Sequence, residues 1–343
     1  MRVTLHQAQP RFTRRRVRAR PARRWLLLLL TGGLLLGWGL HAPLRSVLGR
    51  VWLGLLTRAG GGLALAATPA AGPAPLAAPL PPPPPPDPTG ADFDRLAAAL
   101  PALLELYGAR SAVWFQDLKT GREIAIGTDQ RFHPASTLKL PLVVALIEGA
   151  KAGRWSLDDP WPIKTADWEE GAGNLQLVPD GTAFALRELA RRAIEDSDNI
   201  AANALFRKVG YDGVQDSMRR AGAPLQSGTL SSLSVTDIGP VLVQLARRVA
   251  AQPETWRPLM DWLSHTTRND WLPAGLPPGF TAYHKWGGYD GNDHDVAIVR
   301  AANAQYVLVV YTYRTRDDGA LIQAVSARVA RVYEPTGEPA SLR

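Results

Sequence analysis

An α+β fold is predicted for the larger, C-terminal part of this 343-residue chain, and three observations carry it. Strand patterns stand at both ends of the segment 91–343. Its middle, 136–263, is written mostly at helical spacing. A charge-free apolar run and a proline tract set the whole segment apart from what precedes it. Strands flanking a helical insert imply one antiparallel sheet assembled from both chain ends, with a helical lobe between them.

The N-terminus is read first, because it explains the charge. Residues 1–24 hold nine arginines and no acid, and residues 1–90 hold 12 arginines against Asp87 alone, a balance of +11. The remainder carries 27 basic and 30 acidic residues, a balance of −3, so the overall +8 belongs to the tail. No broad cationic face for nucleic acid is expected on the body. Residues 25–44 contain no charge over 20 positions, enough to cross a bilayer as one helix. Arginines ahead of a single span predict a cytoplasmic N-terminus and an extracytoplasmic body at a bacterial cell membrane. Export with cleavage stays open, through Arg23-Arg24 and the small residues Ala64-Leu65-Ala66. The apolar patch 51–56 reads as lying at the membrane surface. Six consecutive prolines, 81–86, read as a stiff spacer of about 3 Å per residue. The expected organisation is a basic tail 1–24, an anchor 25–44, a juxtamembrane and Pro/Ala-rich linker 45–90 and a catalytic domain 91–343. Cysteine is absent, which excludes disulfides and thiolate metal sites.

In the body, residues 92–106 predict an amphipathic helix kinked or interrupted at Pro101. Runs 111–118 and 123–126, separated by Lys119-Thr120-Gly121-Arg122, predict a β-hairpin. Helical spacing recurs at 186–194, 200–209, 214–221 and 238–250, the last opened by Ser234 with Asp237 three residues on. Two late strands are expected, 296–300 and 306–313, followed by a closing helix 320–333.

The chemistry concentrates around Ser136 and Lys139. Three residues apart at the head of the apolar run 140–147, they share one face if that run is helical. A lysine buried beside a serine loses its proton readily and can then accept the hydroxyl proton. A capping serine with a solvated lysine would give the same four letters. Two further triplets lie downstream: Ser197-Asp198-Asn199 between helical patterns, and Lys285-Trp286-Gly287 with Gly288 ahead of the late strands. Each alone is an ordinary loop signal.

In the order Ser-x-x-Lys, Ser-Asp-Asn, Lys-x-Gly, the three motifs resemble the penicillin-recognising serine hydrolases, above all the class A β-lactamases and their D,D-peptidase relatives. Ala201-Ala202-Asn203, Ala274-Gly275-Leu276-Pro277, Asn292-Asp293 and Asp295-Val296-Ala297-Ile298-Val299 extend the resemblance across the body. It implies a β-lactamase/transpeptidase-like fold and an acyl-enzyme mechanism without metal or cofactor. By resemblance, Ser136 is the acylated nucleophile and Lys139 its proton acceptor. Ser197 relays a proton to the leaving nitrogen, Asn199 holds a substrate amide, and Lys285, with Trp286 and Gly287, meets the substrate carboxylate. The N–H groups of Ser136 and Gly288 form the oxyanion hole, glycine suiting close backbone approach at the second position. The implied partner is a small acyl donor, a β-lactam or a peptidoglycan stem peptide.

Two departures qualify this. Trp286 stands where the family carries a hydroxyl that helps bind the carboxylate. The glutamate that activates the deacylating water is also missing: between Asn199 and Ser234 the only acids are Asp212 and Asp216, which fit a helix, and 224–233 is short for the family's loop. Glu169 and Glu170 precede the triplet and read as exposed loop residues. The expectation is ready acylation and weak hydrolysis. A D-Ala-D-Ala carboxypeptidase or a non-catalytic β-lactam-binding module are the alternatives. No Gly-x-Ser-x-Gly elbow and no His-Glu-x-x-His pattern supports another hydrolase class, and His133 and His284 read as packing residues beside the motifs.

Overall fold

A computed structural model describes residues 87–108, 110–315 and 319–334. The chain divides after Pro79, and the described residues belong to the second unit, Leu80–Arg343. The expected tail, anchor and most of the linker lie outside the described residues. Among the described residues no helix is long and apolar enough to cross a membrane.

Helix α1, Gly90–Leu106, starts at a capping box in which Thr89 and Asp92 satisfy each other's backbone and side chain. It runs through Pro101 without interruption and buries Phe93, Leu96, Leu100 and Leu104. The hairpin follows, β1 over Arg110–Asp117 and β2 over Glu123–Ile126. After the helical lobe come β5 (Thr281–Tyr289), β6 (Asn292–Arg300) and β7 (Gln305–Tyr313). They complete an antiparallel sheet in the order β2-β1-β7-β6-β5, closing the two chain ends against each other at the β1–β7 ladder. The motif lysine therefore lies on a strand, not ahead of one. Lys285 pairs with Val296 on β6, and Gly287-Gly288 masked the strand pattern because neither carries a side chain.

The central strand β7 is buried on both faces, so its side chains divide by period two. Tyr306, Leu308 and Val310 join a core with α1 and the closing helix α8, Ala320–Ala330. Val307, Val309 and Tyr311 join the core of the helical lobe. That lobe begins with a 3₁₀ turn, Ala135–Leu138, running into α2, Lys139–Lys151. A short ribbon follows, β3 (Pro160–Pro162) with β4 (Ala183–Ala185), then α3 (Leu186–Glu195), α4 (Asn199–Val209) and α5 (Tyr211–Arg220). Helix α6 (Val235–Ala251) opens at the Ser234–Asp237 capping box, and α7 (Pro253–Ser264) leads back to β5. Asp212 and Asp216 both lie on α5.

Candidate active site

Three segments converge: the turn carrying Ser136, the junction of α3 and α4, and strand β5. The first is held from beneath by β6 and β7. Thr137 Oγ1 donates to Pro134 O at 2.6 Å and meets the Tyr311 hydroxyl at 2.7 Å. His294 Nδ1 accepts from Thr312 N at 3.1 Å, so its other nitrogen carries the proton and donates to His133 O at 2.8 Å. Burial holds the His294 imidazole down to about 4, which keeps that neutral tautomer. Ala135 has a φ of 48°, a strained setting immediately before the nucleophile, and Ser197 repeats it at 56°. Such residues cost of order 1–3 kcal/mol each and persist where surrounding bonds over-determine them.

Lys139 is buried at the first position of α2. Its Nζ donates to Ser197 O, to Asn199 Oδ1 at 2.7 Å, and lies 3.3 Å from Ser197 Oγ. Burial pulls its pKa down to about 7, while the carboxylates of Asp198 and Glu169 pull it upward. A neutral amine has two N–H bonds, which the two nearest acceptors take. Its lone pair is left to accept a hydroxyl proton, and the Ser197 hydroxyl stands 3.3 Å away.

The middle triplet divides its labour. Ser197 is buried with its hydroxyl toward Lys139. Asp198 is fully buried and structural: one oxygen caps α4 through Ala201 N at 2.8 Å, and the other accepts from Asn174 N (2.8 Å) and Leu175 N (3.1 Å). Asn199 faces the lysine with its carbonyl. Its Nδ2 donates to Glu170 O at 2.9 Å and lies 3.5 Å from Glu169 Oε1.

Strand β5 passes the nucleophile turn so closely that a methyl group on Gly287 would sit 2.7 Å from Ser136 N and 2.8 Å from Thr137 N. At Gly288 the same group would meet nothing nearer than 3.5 Å. The packing of strand against turn thus sets a steric demand for glycine at Gly287, separate from the close approach to substrate that the resemblance implies at Gly288. Lys285 is fully buried, with Nζ donating to Trp286 O at 2.9 Å and lying 4.5 Å from the Trp286 ring. Burial lowers its pKa well below the usual lysine value, the Lys139 charge acts the same way, and Asp295 opposes both. His284 is buried between Asp295 (2.9 Å) and Thr266 (2.6 Å), and His133 is exposed, its ring 4.9 Å from that of Tyr289 and tilted by 40°.

The connection from α5 to α6, residues 221–234, contains no Asp or Glu. It reaches the site through the bridge between Leu233 and Phe132. Three residues that sequence reasoning passed over enter here. Asn203 Nδ2 donates to Glu169 Oε2 at 2.8 Å, His294 supports the nucleophile turn, and the Arg268 guanidinium stacks on Trp271 and Trp286 at 4.3 and 5.4 Å. Asn203 was legible only as a motif flank. Among the described residues no three His, Cys, Asp or Glu side chains gather as a metal ion would require.

A family model described as the β-lactamase enzyme family matches residues 95–333. Over 246 residues the chain is 30% identical to a protein named β-lactamase from Amycolatopsis lactamdurans, covering 66% of this chain and 80% of that one. It is similar to the solved structure of PBP-A, with a TM-score of 0.64 and 26% identity over 70% of this chain and 96% of that chain. An ancestral class A β-lactamase gives a TM-score of 0.63 and 26% identity over 69% and 100% of the two chains.

Proposed function

The chain belongs to the β-lactamase enzyme family, as a serine hydrolase of the class A type, and from that premise we propose that β-lactams and related amides acylate it on Ser136 and that the acyl-enzyme hydrolyses slowly. The observation that carries the acylation half is Lys139: buried, brought down to about 7, and set against Ser197 and Asn199. In this reading Lys139 takes the Ser136 proton as Oγ attacks the amide carbon. The N–H groups of Ser136 and Gly288 receive the developing oxyanion. Ser197 passes the proton from Lys139 to the leaving nitrogen, and the C–N bond breaks.

The slow half rests on the acid-free connection 221–234. General-base help to a water is commonly worth about 10² to 10⁴ in rate, and its usual source is missing. The same absence favours a second reading, a D-Ala-D-Ala carboxypeptidase acting on peptidoglycan stem peptides, for which a long-lived penicillin adduct is inhibition.

For the N-terminus the proposal is a single-pass anchor at residues 25–44 with the catalytic body outside, supported by the arginines before that span and the prolines after it. Protease added to intact spheroplasts then releases a body-sized soluble fragment, and complete protection rules the arrangement out. For the chemistry, a fluorescent penicillin labels the wild-type chain and not Ser136→Ala. Turnover of penicillins, cephalosporins and D-Ala-D-Ala peptides by the same protein separates lactamase from peptidase, and labelling without any product would leave a binding module.

A further inference from the structure

The 221–234 connection offers no base for a deacylating water, yet one carboxylate is anchored beside the lysine from a different segment, the loop between β3 and β4. We infer that Glu169 is the general base for deacylation, an assignment that rests on Ser136 being the acylated nucleophile.

The loop is built to hold this side chain. Two residues earlier, Asp167 is buried and gripped by Arg207 of α4 at 3.0 and 2.7 Å, while its Oδ2 also accepts from Lys164 N at 2.8 Å. Arg207 reaches on to Pro162 O at 2.6 Å, tying the ribbon to the same helix. On the far side of Glu169 the backbone folds over the start of α4: Asn199 N donates to Ala172 O at 3.1 Å, and Asp198 receives Asn174 and Leu175. Gly173, at φ 99°, passes so close that a methyl group there would lie 2.0 Å from Asp198 Oδ2.

Between these two anchors Glu169 lies against α4. Asn199 and Asn203 are four residues apart on that helix and so present one face. Asn203 Nδ2 binds Glu169 Oε2 at 2.8 Å, and Asn199 Nδ2 stands 3.5 Å from Oε1. The carbonyl of that same Asn199 amide is 2.7 Å from Lys139 Nζ, so a single amide group separates the carboxylate from the lysine. The Glu169 charge is felt at Lys139, where it opposes the effect of burial. One carboxylate oxygen is thus firmly occupied while the other, loosely held on an exposed residue, is free to accept from water. Glu170 differs, giving Asn199 its backbone carbonyl at 2.9 Å.

In the step assigned to it, Glu169 takes a proton from water as the water oxygen bonds to the ester carbon. The tetrahedral species collapses, the bond from carbon to Ser136 Oγ breaks, and the proton returns through Lys139 to Oγ. Nothing is oxidised or reduced, and the released acid ionises to solvent.

The test uses the full chain, a pulse of penicillin G, removal of free drug and intact-mass measurement of the Ser136 adduct with time. Glu169→Gln, which keeps a partner for Asn203, is expected to lengthen the adduct half-life about 100-fold. Formate is expected to shorten it again in Glu169→Ala, in proportion to concentration. A Glu169→Gln half-life within about twofold of wild type overturns the assignment, as does a wild-type adduct that never hydrolyses. Lengthening without formate rescue also overturns it, since Glu169 then acts only by supporting Asn199. If no adduct forms on Ser136 in the wild type, the underlying acylation reading fails instead.

Discussion

Lys139 provides the sharpest prediction, because its environment fixes a pH at which acylation should switch on. Its pKa is about 7 against an ordinary 10.5, through burial, with Asp198 and Glu169 pulling the other way. Acylation requires the neutral amine, so the rate should rise with pH. By the titration of a single group the neutral fraction grows from about 3% at pH 5.5 to about 97% at pH 8.5, roughly a 30-fold gain. The assay is the pseudo-first-order rate of fluorescent penicillin labelling across that range, with the fold monitored at each pH. Stability gives an independent check of the same shift. The folded chain binds fewer protons at this lysine than the unfolded chain between about 7 and 10.5, so stability should grow with pH in that window. The slope is about 1.4 kcal/mol per pH unit, and Lys139→Met should remove that contribution. A labelling rate that stays flat from pH 5.5 to 8.5 would mean that Lys139 is not the titrating base, and one that keeps rising about tenfold per pH unit through 8.5 would mean an ordinary solvated lysine; either result refutes the reasoning.

Four further outcomes follow from the geometry. Ser136→Ala should abolish covalent labelling and Lys139→Ala should nearly do so, with losses in the pair that do not add, because the two act as one unit. Gly287→Ala drives a methyl group to 2.7 Å from Ser136 N, so the oxyanion donor must move and acylation should fall about 10² to 10³-fold with the Tm little changed. Asp198→Ala removes a helix cap and strands the buried N–H groups of Asn174 and Leu175, a loss of about 3 kcal/mol that lowers the Tm by roughly 6–12 °C in a calorimeter. Intact-mass spectra after a penicillin pulse should show a persistent adduct on Ser136; its failure to accumulate while nitrocefin turns over hundreds of times per second would rule out slow deacylation.

The fold was legible in the sequence where burial imposes a period. Strand β7 reads as a continuous Val/Leu/Tyr run because both of its faces are covered, and the helices of the lobe show their apolar faces at helical spacing. The β-lactamase/transpeptidase-like α+β fold expected from the motifs is the fold found. Legibility failed where backbone rather than side chain decides. Strand β5 was hidden by Gly287-Gly288, and its close approach to the nucleophile turn at Gly287 left no mark in the side-chain pattern. The ribbon of β3 and β4, three residues a side and rich in proline, carries no periodic signal at all. Glu169 was legible as an acid without a role, since the contacts that hold it join a loop to a helix 30 and 34 residues away. Spacing reports neighbours along one element and is silent about side chains that meet across two.

The site places opposite demands on its two lysines. Lys139 must be neutral to accept a proton, whereas Lys285, in the role implied by its motif, must be positive to hold a carboxylate. Burial disfavours the charge on both, and the charge on Lys139 makes the one on Lys285 harder to keep. An arriving substrate carboxylate resolves the conflict. It supplies a counter-charge to Lys285, favouring its protonation, at the moment when Lys139 has to remain a base. The replacement of a hydroxyl by Trp286 sharpens this dependence, because the indole covers Lys285 and excludes water that would otherwise solvate its charge. Carboxylate binding at Lys285, in the role implied by its motif, would on that account depend on a proton that burial and the Lys139 charge both disfavour.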